Sequence, residues 1–199
     1  MSTLGVVVAP AGEPGGTALV GGVSLLDRAV AVLRATPGID HVLALAPGEA
    51  PPDAARAGVD VVVLHDLSFP LVEPGTVAAV LDALRSDPGA AGAVAVLPVT
   101  DTLKQVAADG EVLGTVDRSG LRVAGSPQAY RPRLLPAGAP APFRTASPLE
   151  PEPPDAAALP RALVEAGLRV VLVEAPPAAF RVRTELDLLA ARALLGDPA

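Results

Sequence analysis

The sequence of 199 residues contains no cysteine and no tryptophan, and aromatic residues make up only 2% of it. Without cysteine the chain can form neither a disulfide framework nor a thiolate metal site. Its two histidines, His41 and His65, are too few to build an imidazole metal site by themselves. Because bulky rings are scarce while alanine, valine and leucine are abundant, we expect an aliphatic core that packs through many small contacts.

Positive charge is also scarce, because Lys104 is the only lysine and 15 basic residues face 22 acidic ones, for a net charge of −7. Nucleic-acid binding draws on clustered lysine and arginine, so this balance argues against a nucleic-acid partner. The sequence also lacks an apolar run of membrane-spanning length, and no basic segment precedes a long apolar stretch at its start. We therefore expect a soluble, cytoplasmic protein with no membrane partner.

The apolar pattern predicts a single α/β domain over residues 1–199. Hydrophobic residues make up 50% of the chain, which is enough for one sizeable core. Continuous apolar runs alternate with segments of helical periodicity, which is typical of a three-layer, mostly parallel, Rossmann-like sheet that binds ligands at the carboxyl ends of its strands. The predicted strands are Leu4–Ala9, His41–Leu45, Val59–Leu64, Val94–Leu97 and Arg169–Glu174, and the predicted helices are Leu25–Leu33, Thr76–Arg85, Ala162–Ala166 and Glu185–Leu195.

A projecting β-arm is predicted at about residues 98–125. Thr102–Val106 and Val112–Val116 are β-prone runs joined through Asp109-Gly110, a dipeptide suited to the positive φ angles of a tight hairpin turn. An isolated hairpin is marginal in water and leaves apolar side chains exposed, so we expect the arm to pack against its counterpart in a homodimer. The polar residues of the arm are also compatible with a plain solvated face.

A proline-rich segment runs from Pro136 to Pro160 and shows little apolar periodicity. Proline disfavours a helix interior, so we expect an extended surface loop or a disordered bridge here.

Several short motifs occur in order along the chain. They are Val62–Asp66 followed by Pro70, Asp101–Lys104, Val116–Leu121, Ser126–Tyr130, and Phe180–Thr184 followed by Asp187-Leu188. This series closely resembles the 2-C-methyl-D-erythritol 4-phosphate cytidylyltransferase family of the non-mevalonate isoprenoid pathway, with its H-D-A-A-R-P, D-T-x-K, V-D-R-x-G-L, T-P-Q-x-F and I-K-V-T-x-P-E-D-L segments. The resemblance covers almost the whole chain and is specific, because unrelated motifs appear in the right order.

The resemblance implies a nucleotidyltransferase that moves CMP from CTP to the phosphate of methylerythritol phosphate with the help of Mg²⁺. Asp66 would be a catalytic residue and a ligand of the metal. Arg181 would be catalytic and would contact the acceptor phosphate where the family has a lysine. Thr102 and Arg118 would reach across a homodimer to bind the same phosphate, for which the bidentate guanidinium is well suited. A solvated loop aspartate is the alternative for Asp66.

The predicted nucleotide loop departs from the family. The family's A-A-G-x-G-x-R loop and the P-K-Q that follows supply an arginine and a lysine to the triphosphate. Here the corresponding stretch has no cation and carries Glu13 instead. An ordinary tight turn explains its glycines about as well as a nucleotide does. The residues predicted to bind the nucleotide weakly are Ala11, Gly12, Gly15, Gly16 and Ser126.

Two further departures affect the same region. The family's segment that contacts cytidine is replaced by a short link rich in proline and alanine, Pro47–Gly58. Phe69 takes the place of the arginine in H-D-A-A-R-P, which removes a polar contact near the acceptor.

These departures leave two hypotheses. In the first, the protein is a divergent Mg²⁺-dependent cytidylyltransferase whose use of CTP is weak, or which takes another nucleotide or acceptor. In the second, it is a non-catalytic relative that dimerises through its arm and binds a phosphorylated ligand or an active paralogue. Because the loop lacks cations to offset a triphosphate, we expect no CTP binding below the millimolar range.

Overall fold

The computed structural model describes residues 1–9, 16–45, 58–135 and 157–196. Within these ranges the strands of the main sheet are β1 (Thr3–Val8), β4 (His41–Ala44), β5 (Val61–Asp66), β6 (Ala90–Pro98), β9 (Arg122–Tyr130) and β10 (Arg169–Glu174). Two small two-stranded sheets pair β2 (Leu19–Val20) with β3 (Val23–Ser24) and β7 (Lys104–Val106) with β8 (Val112–Thr115).

The main sheet has the order β10-β6-β9-β5-β1-β4. Strands β4, β1 and β5 are parallel to one another, and β10 is parallel to β6. The prediction of a mostly parallel sheet is confirmed. Strand β9, which lies antiparallel between β5 and β6, was not predicted. Pro127 disfavours a strand prediction here, because proline has no N–H for the ladder. The pairing of β9 with β6 is irregular beside Pro127, so the missing N–H interrupts no regular ladder.

Helices cover both faces of the sheet and complete the three predicted layers. The helices are α1 (Leu25–Ala35), α2 (Pro74–Ser86), α3 (Ala158–Glu165) and α4 (Glu185–Leu194). Helices α1, α2 and α4 contribute to one apolar core, and α3 contributes to a second core on the opposite face. Adjacent strand residues such as Val6 and Val7 belong to different cores, as expected when successive side chains point to opposite faces. No helix in the described ranges has the length and apolar character needed to cross a membrane.

The predicted hairpin is confirmed in the described chain. Strands β7 and β8 are antiparallel, and Gly110 has a φ of 93° in the turn between them. Pro98 of β6 pairs with Arg122 of β9, so both ends of the predicted arm are joined to the main sheet. Its apolar side chains are exposed, by 59% for Val112 and 58% for Leu113. Pairing of this surface with a second copy stays a prediction.

The expectation for the proline-rich segment is wrong at its end. Pro160 lies in the first turn of α3, where a backbone N–H would have no partner within the helix. Residues 136–156 lie outside the described ranges.

Gly92 leaves room for the ring of Tyr130 on the neighbouring strand. A Cβ atom at Gly92 would lie 2.7 Å from Cδ1 and from Cε1 of Tyr130. This ring is buried, and its hydroxyl donates to Oε1 of Gln128 at 2.5 Å. We expect Gly92→Ala to lower the free energy of unfolding by about 1–3 kcal/mol through overpacking. Urea unfolding would measure the loss, and Gly114→Ala on β8, where nothing lies within 4 Å, should be neutral. Equal losses in both variants would contradict the packing argument.

Candidate active site

Strand pairing places Asp66 beside the carboxyl end of β1. Val8 of β1 is in register with Asp66 of β5, and the N–H of Leu67 donates to the carbonyl of Val8 at 3.1 Å. Both strands run in the same direction, so their carboxyl ends meet at one edge, where open α/β sheets bind ligands. Gly16 is also near this edge, because a Cβ atom there would lie 3.6 Å from Cδ2 of Leu67. The other predicted loop residues, Ala11, Gly12 and Gly15, lie outside the described ranges.

The turn that follows β5 fixes the carboxylate of Asp66. The side chain is fully buried, and Oδ1 accepts hydrogen bonds from the backbone N–H of Ser68 at 2.8 Å and from its hydroxyl at 2.6 Å. The N–H of Phe69 donates to the carbonyl of Asp66 at 3.1 Å, which closes the turn. Asp66 is therefore held in one orientation and is not the solvated loop aspartate of the alternative hypothesis.

Arg181 reaches the same turn from the segment that precedes α4. Its Nη2 lies 3.3 Å from Oδ2 of Asp66, and its Nε–H donates to Oγ of Ser68 at 3.2 Å. The backbone supports this approach, since the N–H of Val182 donates to the carbonyl of Ser68 at 2.7 Å. The side chain of Arg181 is 17% exposed. The structure thus brings together two of the predicted site residues, Asp66 and Arg181.

Ser68 is a member of this cluster that the sequence analysis missed. Its hydroxyl stands between the two charged groups, donating to Asp66 and accepting from Arg181. The sequence signal for this contact is the spacing of Asp66 and Ser68, because an aspartate in a turn commonly accepts a hydrogen bond from the residue two positions later.

Ser126 lies behind Asp66 on the neighbouring strand β9. Its hydroxyl accepts a hydrogen bond from the backbone N–H of Asp66 at 3.0 Å and lies 2.9 Å from Nδ1 of His65. Both side chains are buried, and burial lowers the pKa of His65 to about 4, so this ring is neutral at pH 7. Ser126 therefore supports the backbone of the turn that begins at Asp66. Its predicted role in nucleotide binding stays a prediction.

Thr102 and Arg118 lie on the exposed part of the arm. The guanidinium of Arg118 donates to the carbonyl of Thr100, and the neighbouring Asp117 accepts hydrogen bonds from Ser119. These bonds join residues of the arm itself. An approach of Thr102 and Arg118 to the Asp66 turn of a partner subunit is therefore still a prediction.

A comparison with protein families identifies the family of this chain. Residues 49–197 match the family of 2-C-methyl-D-erythritol 4-phosphate cytidylyltransferase. The chain belongs to this cytidylyltransferase family.

Relatives over most of the chain support this membership. The chain is 33% identical to 2-C-methyl-D-erythritol 4-phosphate cytidylyltransferase of Rhodococcus jostii, over 90% of this chain and 86% of the relative. It is 36% identical to the enzyme of the same name from Streptomyces avermitilis, over 97% of this chain and 74% of the relative. The crystal structure of the Thermus thermophilus enzyme of that name is 32% identical, covers 98% of both chains and superposes with a TM-score of 0.68.

Cytidylyltransferases are nucleotidyltransferases that typically use a divalent metal. The side chains near Asp66 can therefore be compared with the ligands that Mg²⁺ needs. In the described part of the chain, no group of three or more Asp, Glu or His side chains could hold a metal by itself. Mg²⁺ usually needs only one or two carboxylates, because waters and substrate phosphates complete its shell. Asp66 is one such carboxylate, but its side chain is 0% exposed and paired with Arg181, so its role as a metal ligand stays a prediction.

The neutral state of His65 makes a prediction for the metal-free protein. Its pKa is about 4 in the fold against 6.5 in the unfolded chain, so the unfolded state binds more protons between these values. Stability from this group is complete above pH 6.5 and is lost as the pH falls toward 4. The loss should amount to roughly 3 kcal/mol. Urea unfolding of His65→Gln over this pH range should show a flatter profile than wild type.

The exposed His41 provides the matched control for this experiment. His41→Gln should keep the wild-type pH dependence. If His65→Gln also kept it, burial of the neutral ring would not be its source.

Proposed function

We propose that this protein transfers CMP from CTP to 2-C-methyl-D-erythritol 4-phosphate and releases pyrophosphate. The observation that carries the proposal is the cluster of Asp66, Ser68 and Arg181 at the carboxyl end of β5. These residues come from two motifs that lie far apart in the sequence, and they meet at the edge where this class of sheet binds its ligands.

In this proposal Arg181 binds the acceptor phosphate. Its guanidinium offers paired donors that suit a phosphate, and the ion pair with Asp66 keeps it at the site when no ligand is bound. Binding and orientation of the phosphate would place its oxygen in line with the α-phosphorus of CTP. Such positioning contributes much of the rate acceleration in phosphoryl-type transfer.

Asp66 is the residue that would hold Mg²⁺. The ion would neutralise charge on the triphosphate and on the transition state. The bonds from Ser68 to Oδ1 and the support of Ser126 behind the turn fix the direction of this carboxylate.

We further propose that CTP is held weakly. No lysine or arginine precedes Arg28, and this side chain is directed at backbone carbonyls, with Nε 3.0 Å from the oxygen of Pro70 and Nη1 3.3 Å from that of Val20. Each charged hydrogen bond contributes about 1.5–3 kcal/mol, so two missing cations correspond to several kcal/mol of transition-state stabilisation. The Michaelis constant for CTP should therefore lie in the millimolar range.

A pyrophosphate-release assay with Mg²⁺, methylerythritol phosphate and CTP tests the proposal. We expect turnover that saturates with methylerythritol phosphate and needs millimolar CTP. Calorimetry with CTP and Mg²⁺ would show micromolar affinity only if other residues supplied the cations. Binding of methylerythritol phosphate without any turnover would favour the non-catalytic relative.

The exposed apolar face of the arm supports a symmetric homodimer as the working unit. Sedimentation at micromolar concentration should show a dimer, and a strict monomer would remove this part of the proposal. A paralogue with a complementary arm is the alternative partner, and co-purification of a second, related chain would favour it.

A further inference from the structure

The ring of Phe69 lies under the guanidinium of Arg181. Cζ of Arg181 is 6.0 Å from the centroid of this ring. A cation at this distance from an aromatic face is attracted by the electron density of the ring. Because Phe69 itself is buried, its ring is fixed by the surrounding core.

Three side chains of one turn therefore contact Arg181. Asp66 provides an opposite charge at 3.3 Å, Ser68 provides an acceptor for Nε–H at 3.2 Å, and Phe69 provides a flat apolar face. The first two contacts hold donors at one edge of the guanidinium, and the ring lies against its face. We propose that Phe69 is a positioning residue that sets the plane of Arg181 for the acceptor phosphate.

The chemistry of the two side chains explains why they belong together. An ammonium group is a compact charge and needs no flat partner, whereas a guanidinium is planar and stacks on aromatic rings. In the resembling motifs the position of Phe69 carries an arginine and that of Arg181 a lysine. A second arginine at position 69 would bring like charge close to Arg181, and the neutral ring avoids this repulsion.

A purely structural role for Phe69 makes a different prediction. As a core residue alone, it would affect stability and would act independently of the side chain at position 181. As a positioning residue, its effect on acceptor binding depends on a guanidinium being present, so the two substitutions should be non-additive.

The first test needs no turnover. NMR of the arginine Nε–H groups in the ligand-free protein should contain a signal that is lost in Arg181→Lys and therefore belongs to Arg181. We expect Phe69→Leu to shift this signal and to speed its hydrogen exchange by roughly three- to tenfold, because the ring no longer limits the tilt. Phe180→Leu removes the ring of the residue that directly precedes Arg181 in sequence, and it should leave the signal in place. An unchanged signal in Phe69→Leu would overturn the proposal.

The second test is kinetic and rests on the proposed function. Phe69→Leu should raise KM for methylerythritol phosphate by roughly three- to tenfold with a smaller change in kcat, and by less than about twofold in the Arg181→Lys background. Equal effects in both backgrounds would overturn the proposal. If the wild type itself showed no turnover, the proposed function would fail, while the NMR result would still decide the role of Phe69. Phe69→Met, of similar volume, replaces the leucine variant if that one does not fold.

Discussion

Asp66→Asn should lower kcat/KM for cytidyl transfer by about 10²–10³-fold. Asparagine keeps the shape of the side chain but removes the charge that pairs with Nη2 of Arg181 and that would hold Mg²⁺. The partly buried guanidinium would lose this ion pair, so under the proposed mechanism the site would lose both its metal ligand and a contact that anchors the phosphate-binding group. Steady-state kinetics by pyrophosphate release would measure the loss.

Asp82 provides a matched control for this substitution. It lies on α2 with 74% of its side chain exposed, where its contact with Arg85 at 3.9 Å contributes little. Asp82→Asn should retain wild-type kcat/KM. A folded Asp66→Asn protein, as judged by thermal unfolding, that stayed within threefold of wild type would exclude Asp66 from the site.

Two inactive variants should restore each other when they share one dimer. Arg118→Ala would remove the predicted contact from the arm, and Arg181→Met would remove the contact from the sheet edge. If each site combines Arg118 of one subunit with Arg181 of the other, a heterodimer of the two variants contains one intact site. By the symmetry of the dimer it should show about half of the wild-type activity.

The heterodimer can be isolated by co-expression with two different affinity tags. Each variant homodimer, purified in the same way, is the control and should be nearly inactive. A heterodimer as inactive as its two parents would mean that both arginines act within one subunit, and the arm would then have no role in a partner's site.

Most of the fold could be predicted because its signals are local. Continuous apolar runs such as Leu4–Ala9 and the helical periodicity of α1 each depend on neighbouring residues only, and they sufficed for the layers and the mostly parallel sheet. Strand β9 was missed because its signal is not local. Pro127 is compatible with a strand only where the partner strand leaves the ladder irregular, and that depends on β6.

The site could be predicted only in part, for a similar reason. Motif order indicated Asp66 and Arg181 separately, but their ion pair depends on how the segment before α4 folds back onto the sheet. The hydroxyl of Ser68 and the ring of Phe69 gain their roles only through this contact. From the sequence, Phe69 indicates only the loss of a polar group, whereas the structure shows it as a partner of Arg181.

The most direct measurement of the central claim is calorimetric titration of methylerythritol phosphate into wild type, Arg181→Met and Arg183→Met. Arg183 is an exposed arginine two positions further along the chain, so its replacement makes the same change of charge outside the Asp66 cluster. We predict equal affinity for wild type and Arg183→Met, and a loss of at least about tenfold for Arg181→Met, as expected for one charged hydrogen-bonding group. Equal affinity in all three proteins, or an equal loss in both variants, would contradict the assignment of the acceptor phosphate to Arg181.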